Sequence, residues 1–162
     1  MNPVSMESSK MPQNVQAFLA GKRIAVAGVS RKGDTAASHI LRKLLKSGYE
    51  AIPVNPHAQE LEGQPCYPSL EAIPGGVHAV MIATNPDVSL SVVEECAVLG
   101  IRHVWFHRSF GDGSISVEAL GACEAFGIDA IIGGCPLMFL EPVDIVHKCI
   151  RWFGQRNGNV PA

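Results

Sequence analysis

Several features that would assign this chain to a large class of proteins are missing from its sequence. No apolar run reaches ~18 residues, so no membrane-spanning helix is expected, and the N-terminus lacks the charged-then-apolar layout of an export signal. The net charge of −2 gives no overall attraction to nucleic acid or anionic lipid. The five cysteines are scattered without a C-x-x-C pair, which fits reduced thiols better than a disulfide framework. We therefore expect a cytoplasmic protein with a small-molecule partner, and neither a nucleic-acid binder nor a membrane binder.

What is present is enough for one globular domain. The chain has 162 residues, of which 47% are hydrophobic, so it can bury a core of ordinary size. Residues 1–12 show no periodicity and predict a flexible N-terminal arm, and residues 157–162 predict a polar tail. The stretch 13–156 between them is predicted to form the single domain, because no linker or internal repeat interrupts it.

Apolar runs alternate with helical patterns along that stretch. Runs at residues 24–27, 51–54, 79–83, 103–106 and 129–132 predict strands, and a short strand is expected near Cys66 and Tyr67. Helices are predicted around residues 40–45, from Asn85 to Leu99, and from Val117 to Phe126. A final amphipathic helix is expected from Pro142. This alternation predicts an α/β fold with a doubly wound, mostly parallel sheet of five to six strands, Rossmann-like, with helices on both faces.

Two of the predicted helices have expected buried faces. In the helix from Asn85, an asparagine cap is followed by Pro86 and an acidic Asp87, a favourable helix start. Its buried face is predicted to hold Val88, Val92, Cys96 and Leu99. The face of the final helix is predicted to hold Val143, Val146, Ile150 and Phe153.

Polar or glycine residues follow the predicted strands at their carboxyl ends. These segments are residues 28–33, 55–56, 84–86, 107–108 and 133–136. In doubly wound sheets, ligands bind beyond the carboxyl ends of the strands, where the strand order reverses. We therefore expect these segments to surround the ligand site.

The loop after the first strand resembles two phosphate-binding motifs without completing either. Gly28 and Gly33 have the spacing of a P-loop, but Asp34 stands where the lysine is required and would repel phosphates. In the dinucleotide pattern, Ser30 replaces the second glycine. ATP hydrolysis is therefore not expected, and a normal dinucleotide site is weakened.

The remaining features of the loop still favour a phosphate. The Ser30 hydroxyl, the charges of Arg31 and Lys32, and the amides at the start of the following helix can hold a pyrophosphate or phosphomonoester. A solvated turn with surface cations is the alternative. At the next tip, Asn55 can offer its amide to a purine or ribose, with Pro56 as an apolar surface, or can simply begin a turn. That tip lacks the acidic residue with which NAD-binding folds hold the ribose.

The histidines and cysteines predict no metal or catalytic site. His103 and His107 lie about 13 Å apart on a strand and cannot share an ion. His107, at the strand tip, can meet an anion or exchange protons, whereas His39 and His147 fall in helices and are expected to pack or face solvent. Cys135 follows two glycines; a small residue in a tight turn is favoured there over a reactive thiol.

Four segments together resemble a known family, the small stand-alone CoA-binding proteins. They are residues 24–30, 52–56, 61–63 and 128–136, and the Pro-Val-Asn-Pro run ending at Pro56 is the most specific of them. The domain of this family is similar to the CoA-binding domain of the succinyl-CoA ligase alpha subunit. The resemblance extends over about residues 18–153. Where members often have Asp-Arg before the last cysteine, this chain has Gly133 and Gly134.

The resemblance implies CoA or an acyl-CoA as the ligand. It implies that the diphosphate lies at the first loop, the adenine near the second tip, and the pantetheine past the third. The ligand-binding residues are then expected to be Gly28, Val29, Ser30, Arg31, Lys32, Asn55, Pro56, Thr84, Asn85, Pro86 and His107.

The leading hypothesis is a CoA or acyl-CoA binding module without a complete catalytic apparatus. One alternative is an NADP-dependent reductase with Arg31 and Lys32 on the 2′-phosphate. Another is mixed-disulfide chemistry between CoA and Cys135. A homodimer through Trp152 and Phe153 and a monomer are both open.

Overall fold

The computed structural model describes residues 11–108 and 113–162. Its strands are β1 (Arg23–Ala27), β2 (Glu50–Val54), β3 (Glu60–Leu61), β4 (Gln64–Pro65), β5 (Ala79–Ile82), β6 (His103–Phe106) and β7 (Asp129–Ile132). Its helices are α1 (Gln13–Leu19), α2 (Ala36–Lys46), α3 (Pro86–Leu99), α4 (Val117–Phe126) and α5 (Ile145–Arg156), and a 3₁₀ turn spans Pro136–Met138. The strand predictions are confirmed to within a residue, and the expected short strand lies at β4, just before Cys66.

Five strands form one parallel sheet in the order β2-β1-β5-β6-β7, and β3 and β4 form a separate antiparallel pair. Ala25 on β1 lies between Ile52 on β2 and Val80 on β5. The chain first moves outward from β1 to β2 and then returns to the other side of β1 with β5. This is a doubly wound order, and its reversal places the carboxyl ends of β1 and β5 side by side at the switch point.

The sheet is covered on both faces, as the apolar strands require. Ile24 and Val26 of β1 point into one core cluster, which contains residues of α1 and α2. Ala25 and Ala27 point into the other cluster, which contains residues of α3 and α4. The α/β fold with helices on both faces is therefore confirmed.

The helix ends follow from their local chemistry. The first residue of α3 is Pro86, and the helix ends at Gly100 in the left-handed region, at φ 73°. The hydroxyl of Ser116 accepts a hydrogen bond from the Ala119 N–H at 3.0 Å and caps the start of α4. These two helices have the predicted bounds.

The predicted buried face of α3 is partly wrong. Val88 and Leu99 are exposed, and the fully buried positions are Ser89, Val93 and Cys96. The hydroxyl of Ser89 donates to the backbone oxygen of Ser114 at 2.6 Å. That hydrogen bond satisfies a buried polar group, so the helix can turn a serine inward and a valine outward.

The final helix starts later than predicted. It begins at Ile145, because the carboxylate of Asp144 accepts the His147 N–H at 2.9 Å and caps it. Pro142 and the buried Val143 lie in the preceding segment. The sequence also did not predict α1, a short helix that buries Val15 and Phe18.

The apolar face of α5 is exposed in the monomer, contrary to the predicted packing of Val146 and Phe153. Ile145, Val146, Trp152 and Phe153 are between 53% and 77% exposed. Trp152 and Phe153 contact each other edge to face at 4.7 Å. The homodimer through these two residues stays a prediction.

The two predicted termini lie partly outside this description. Residues 1–10 of the predicted arm fall outside the described part of the chain. In the predicted tail, Val160 is buried, and an added Cβ on Gly154 would lie 2.4 Å from its side chain. The domain boundaries stay predictions. Across residues 11–108 and 113–162, no helix is long and apolar enough to cross a membrane.

Candidate functional site

A groove lies at the switch point of the sheet, between the tips of β1, β2 and β5. We call it the central groove; its volume is about 580 Å³. Its wall consists of Ala27, Gly28, Val29, Ser30, Val54, Asn55, Pro56, His57, Pro68, Ser69, Ala83, Thr84, Asn85, Val88, Ser91, Val92 and Glu95. This is the place where doubly wound sheets bind their ligands.

The structure brings most of the predicted site residues together in this wall. They are Gly28, Val29, Ser30, Asn55, Pro56, Thr84 and Asn85. Arg31, Lys32 and Pro86 are their neighbours in the chain, but they are not part of the wall. His107 lines a different cavity. Whether any of these residues touches a ligand stays a prediction.

Gly28 lets the first loop approach the tip of β5 closely. Its φ of +101° is a backbone conformation that residues with a side chain rarely adopt. A Cβ at this position would lie 2.3 Å from the backbone oxygen of Ala83. The floor of the groove therefore requires glycine here.

Asn55 holds the tip of β2 against the first loop. Its side-chain amide donates to the backbone oxygen of Val29 at 2.8 Å, and its side-chain oxygen accepts the His57 N–H at 2.8 Å. The second bond is the turn that an asparagine before proline was expected to begin. Asn55 thus fixes the shape of the groove, and its contact with a purine or ribose stays a prediction.

The helix end that borders the groove is that of α3. The sequence analysis expected the amides of the helix after β1 to face the phosphate site. That helix, α2, begins at Ala36, and none of its residues line the central groove. Asn85, the cap residue of α3, does line it, and its side chain makes no cap hydrogen bond. The positive end of the α3 dipole is therefore directed at the groove.

The charges around the groove are unequally distributed. Glu95 on α3 supplies the carboxylate of the wall, and it accepts the Glu71 N–H at 3.0 Å. On the opposite side, Arg31 and Lys32 are exposed next to the wall residue Ser30, whose hydroxyl accepts the Lys32 N–H at 3.1 Å. Phosphate groups are therefore favoured on the loop side of the groove, and hydroxyl or amine groups on the α3 side.

The sequence analysis missed the contribution of α3 to the wall. Val88, Ser91, Val92 and Glu95 recur at helical spacing and so share one face of the helix. The spacing was visible in the sequence. What it could not show is that this face looks onto the groove rather than into the core.

A second cavity lies beside the first loop, at the tips of β6 and β7. We call it the histidine cavity; its volume is about 390 Å³. It is lined by Ala36, His39, Ile40, His107, Cys135, Leu137, Asp144 and His147. His39 and His147, which were expected to have packing or surface roles, here share a cavity with His107. They come from α2 and α5, and their meeting depends on tertiary structure.

The ionisable groups of the histidine cavity are held in defined states. Burial lowers the pKa of His107, so its ring is neutral at neutral pH. The ring nitrogen Nδ1 of His147 lies 2.5 Å from a carboxylate oxygen of Asp144, and Nε2 of His39 lies 3.0 Å from Asp34. Within the described residues, no group of three or more metal-ligating side chains is placed to hold an ion.

The thiol of Cys135 is buried in this cavity wall. Burial raises its pKa to about 11, so the thiolate is a minor form near neutral pH. Disulfide exchange requires an accessible thiolate, which this environment disfavours. The geometry agrees with the expected small residue in a tight turn.

Comparisons with known proteins agree with this geometry. A family model described as a CoA binding domain matches residues 22–141. The uncharacterized protein YneT of Bacillus subtilis is 35% identical over 114 residues, which are 70% of this chain and 82% of that protein. The ADP-forming acetate–CoA ligase II of Archaeoglobus fulgidus is 35% identical over 83 residues, which are 50% of this chain but 12% of the ligase.

Solved structures show the same fold. A hypothetical protein from Pyrococcus horikoshii superposes with a TM-score of 0.70 at 27% identity, covering 83% of this chain and 93% of that one. A conserved hypothetical protein from Pyrococcus furiosus gives a TM-score of 0.62 at 32% identity, covering 70% and 95% of the two chains. The similarity therefore extends over nearly the whole length of these small proteins, whereas the chain matches a minor part of the ligase.

Proposed function

We propose a function from the premise that this chain belongs to the family of CoA-binding domains: it binds CoA or an acyl-CoA in the central groove and has no complete catalytic apparatus of its own. The observation that supports this most is the position of the groove. It lies at the switch point, and the wall is built from the strand-tip segments that the family resemblance implies.

The distribution of charge orients the ligand. The diphosphate lies against the backbone of the first loop from Gly28 to Ser30, with Arg31 and Lys32 supplying positive charge from its exposed side. The adenosine lies toward Pro56, at the tip of β2. The opposite wall carries Glu95, which favours the hydroxyl and amine groups of the ligand over its phosphates.

The pantetheine arm then runs along the edge of the sheet. It passes Thr84 and Asn85 at the tip of β5 and continues toward His107 at the tip of β6. The β6 tip is adjacent, because the His107 N–H donates to the backbone oxygen of Ile82 at 2.9 Å. His107 is thus the predicted contact for the thiol end of the ligand.

Calorimetric titration tests this function directly. We expect saturable binding of CoA, weaker binding of dephospho-CoA because a phosphate contact is lost, and weaker binding of NADP. If CoA does not bind, or if removal of the 3′-phosphate changes nothing, the proposal is wrong as stated.

A pair of variants on α3 locates the site. Val88 is 46% exposed and lines the groove, so Val88→Trp fills it and should lower the affinity for CoA at least tenfold. Val98 is 86% exposed on the same helix and does not line the groove, so Val98→Trp should retain wild-type affinity. Equal affinities of the two variants would place the ligand elsewhere.

A further inference from the structure

We infer that the histidine cavity receives the acyl group of a short, uncharged acyl-CoA. This inference rests on the proposed function, because it needs the CoA moiety to occupy the central groove. It goes further by assigning a second subsite and a substrate class to it.

The two cavities lie along one edge of the sheet. The tip of β2, next to the adenosine end, and the tip of β6, which carries His107, are separated by three strand spacings, or roughly 14 Å. An extended pantetheine arm is long enough to cross that distance. Its sulfur then arrives at the strand tip that forms one wall of the histidine cavity.

The walls of this cavity suit a small acyl group. Ala36, Ile40 and Leu137 provide apolar surface for an alkyl chain. The imidazoles of His107 and His147 provide polar edges for the thioester carbonyl. A cavity of this composition, apolar with a few convergent polar groups, is typical of a small-molecule subsite.

Charge and size narrow the class of acyl group. Asp144 contributes a carboxylate to the wall, and hydrogen bonds from its cap position keep its pKa below the ordinary value, so it is ionised at neutral pH. A second carboxylate, as in a succinyl group, is therefore repelled. The volume of about 390 Å³ is at the lower end for ligand sites, which favours a chain of a few carbons over a fatty acyl chain.

An affinity series separates this inference from the proposed function. Calorimetric titrations would compare CoA with acetyl-, propionyl-, butyryl-, octanoyl- and succinyl-CoA. Each methylene that enters the cavity should raise the affinity by up to roughly fourfold. We expect a rise as far as butyryl-CoA, no further rise for octanoyl-CoA, and succinyl-CoA weaker than butyryl-CoA.

The possible outcomes are distinct. If CoA binds and the series is flat, the acyl group points into solvent and this inference is wrong, while the proposed function stands. If succinyl-CoA binds best, the predicted class is wrong. If CoA itself does not bind, both proposals fail.

Variants test the location of the acyl group. Ala36 is an exposed residue at the cavity wall, and Ala36→Phe should reduce the ratio of butyryl-CoA to CoA affinity toward one. Ala125→Phe, at an exposed position of α4 outside both cavities, should keep the wild-type ratio. Leu137→Ala enlarges the cavity and should move the best chain length upward. If the ratio and the best chain length are unchanged in Ala36→Phe and Leu137→Ala, the acyl group does not enter this cavity.

Discussion

Replacing Gly28 by alanine tests the construction of the groove floor. The new Cβ would lie 2.3 Å from the backbone oxygen of Ala83, at a backbone φ of +101°. The positive φ costs an alanine roughly 1–2 kcal/mol. The collision must be relieved by separating the tips of β1 and β5, which weakens the 2.9 Å hydrogen bond from the Ala83 N–H to the Ala27 oxygen, worth about 0.5–1.5 kcal/mol. We expect Gly28→Ala to lower the free energy of unfolding by about 2–4 kcal/mol.

Gly33 in the same loop provides the matched control. Its φ is +64°, but no heavy atom lies within 4 Å of an added Cβ. Gly33→Ala should therefore lose only the conformational term, about 1 kcal/mol. Urea denaturation of both variants measures the difference, and CoA titration should show a larger loss of affinity for Gly28→Ala. If the two variants are equally stable, the close approach of the first loop to β5 is wrong.

Two further predictions concern ionisable groups. Alkylation with iodoacetamide at neutral pH should modify the exposed Cys149 well before the buried Cys135, whose pKa of about 11 leaves little thiolate; mass spectrometry of peptides checks this, and comparable rates would contradict the burial of Cys135. Hydrogen bonding to Arg42 lowers the pKa of Glu62 below 4.5, so its contribution to stability is complete above about pH 4.5 and is lost as the pH falls through the lower folded-state value. Denaturation measured across that acid range should show a shallower pH dependence for Glu62→Gln than for the wild type or the neighbouring Glu60→Gln, and parallel curves would refute the role of the pair.

The sheet was predictable from the sequence because its strands are buried on both faces. A run such as residues 24–27 has no polar member, and glycine or polar residues follow it at once, so strand and tip are both visible. The helices α3 and α4 were equally clear, since a capping residue begins each and a glycine ends each. Because strand tips meet at one edge of a parallel sheet, the segments around the central groove could be named in advance.

The orientation of the helices was harder to predict. In α3, apolar residues occur on more than one face, so the pattern could not separate Val88 at the groove from Val93 in the core. In α5, the pattern predicted a buried face, but no residue of that helix is buried in the monomer. Periodicity shows that a helix has an apolar face, whereas the tertiary structure decides what that face meets.

The histidine cavity was beyond the reach of the sequence. His39 and His147 lie in helices distant along the chain, and nothing local marks either as part of a site. The role of Asn55 was also only half visible, because the turn it begins is a local pattern, while its hydrogen bond to Val29 joins two different strand tips.

Mapping of the CoA contact by NMR is the most direct test of the proposed site. Titration of the isotope-labelled chain with CoA should shift the backbone amide signals of Gly28 to Ser30, Asn55, His57, Thr84 and Asn85, with little change in α4. Such a pattern would place the ligand in the central groove. Shifts confined to other surfaces, or no shifts at saturating CoA, would contradict the account.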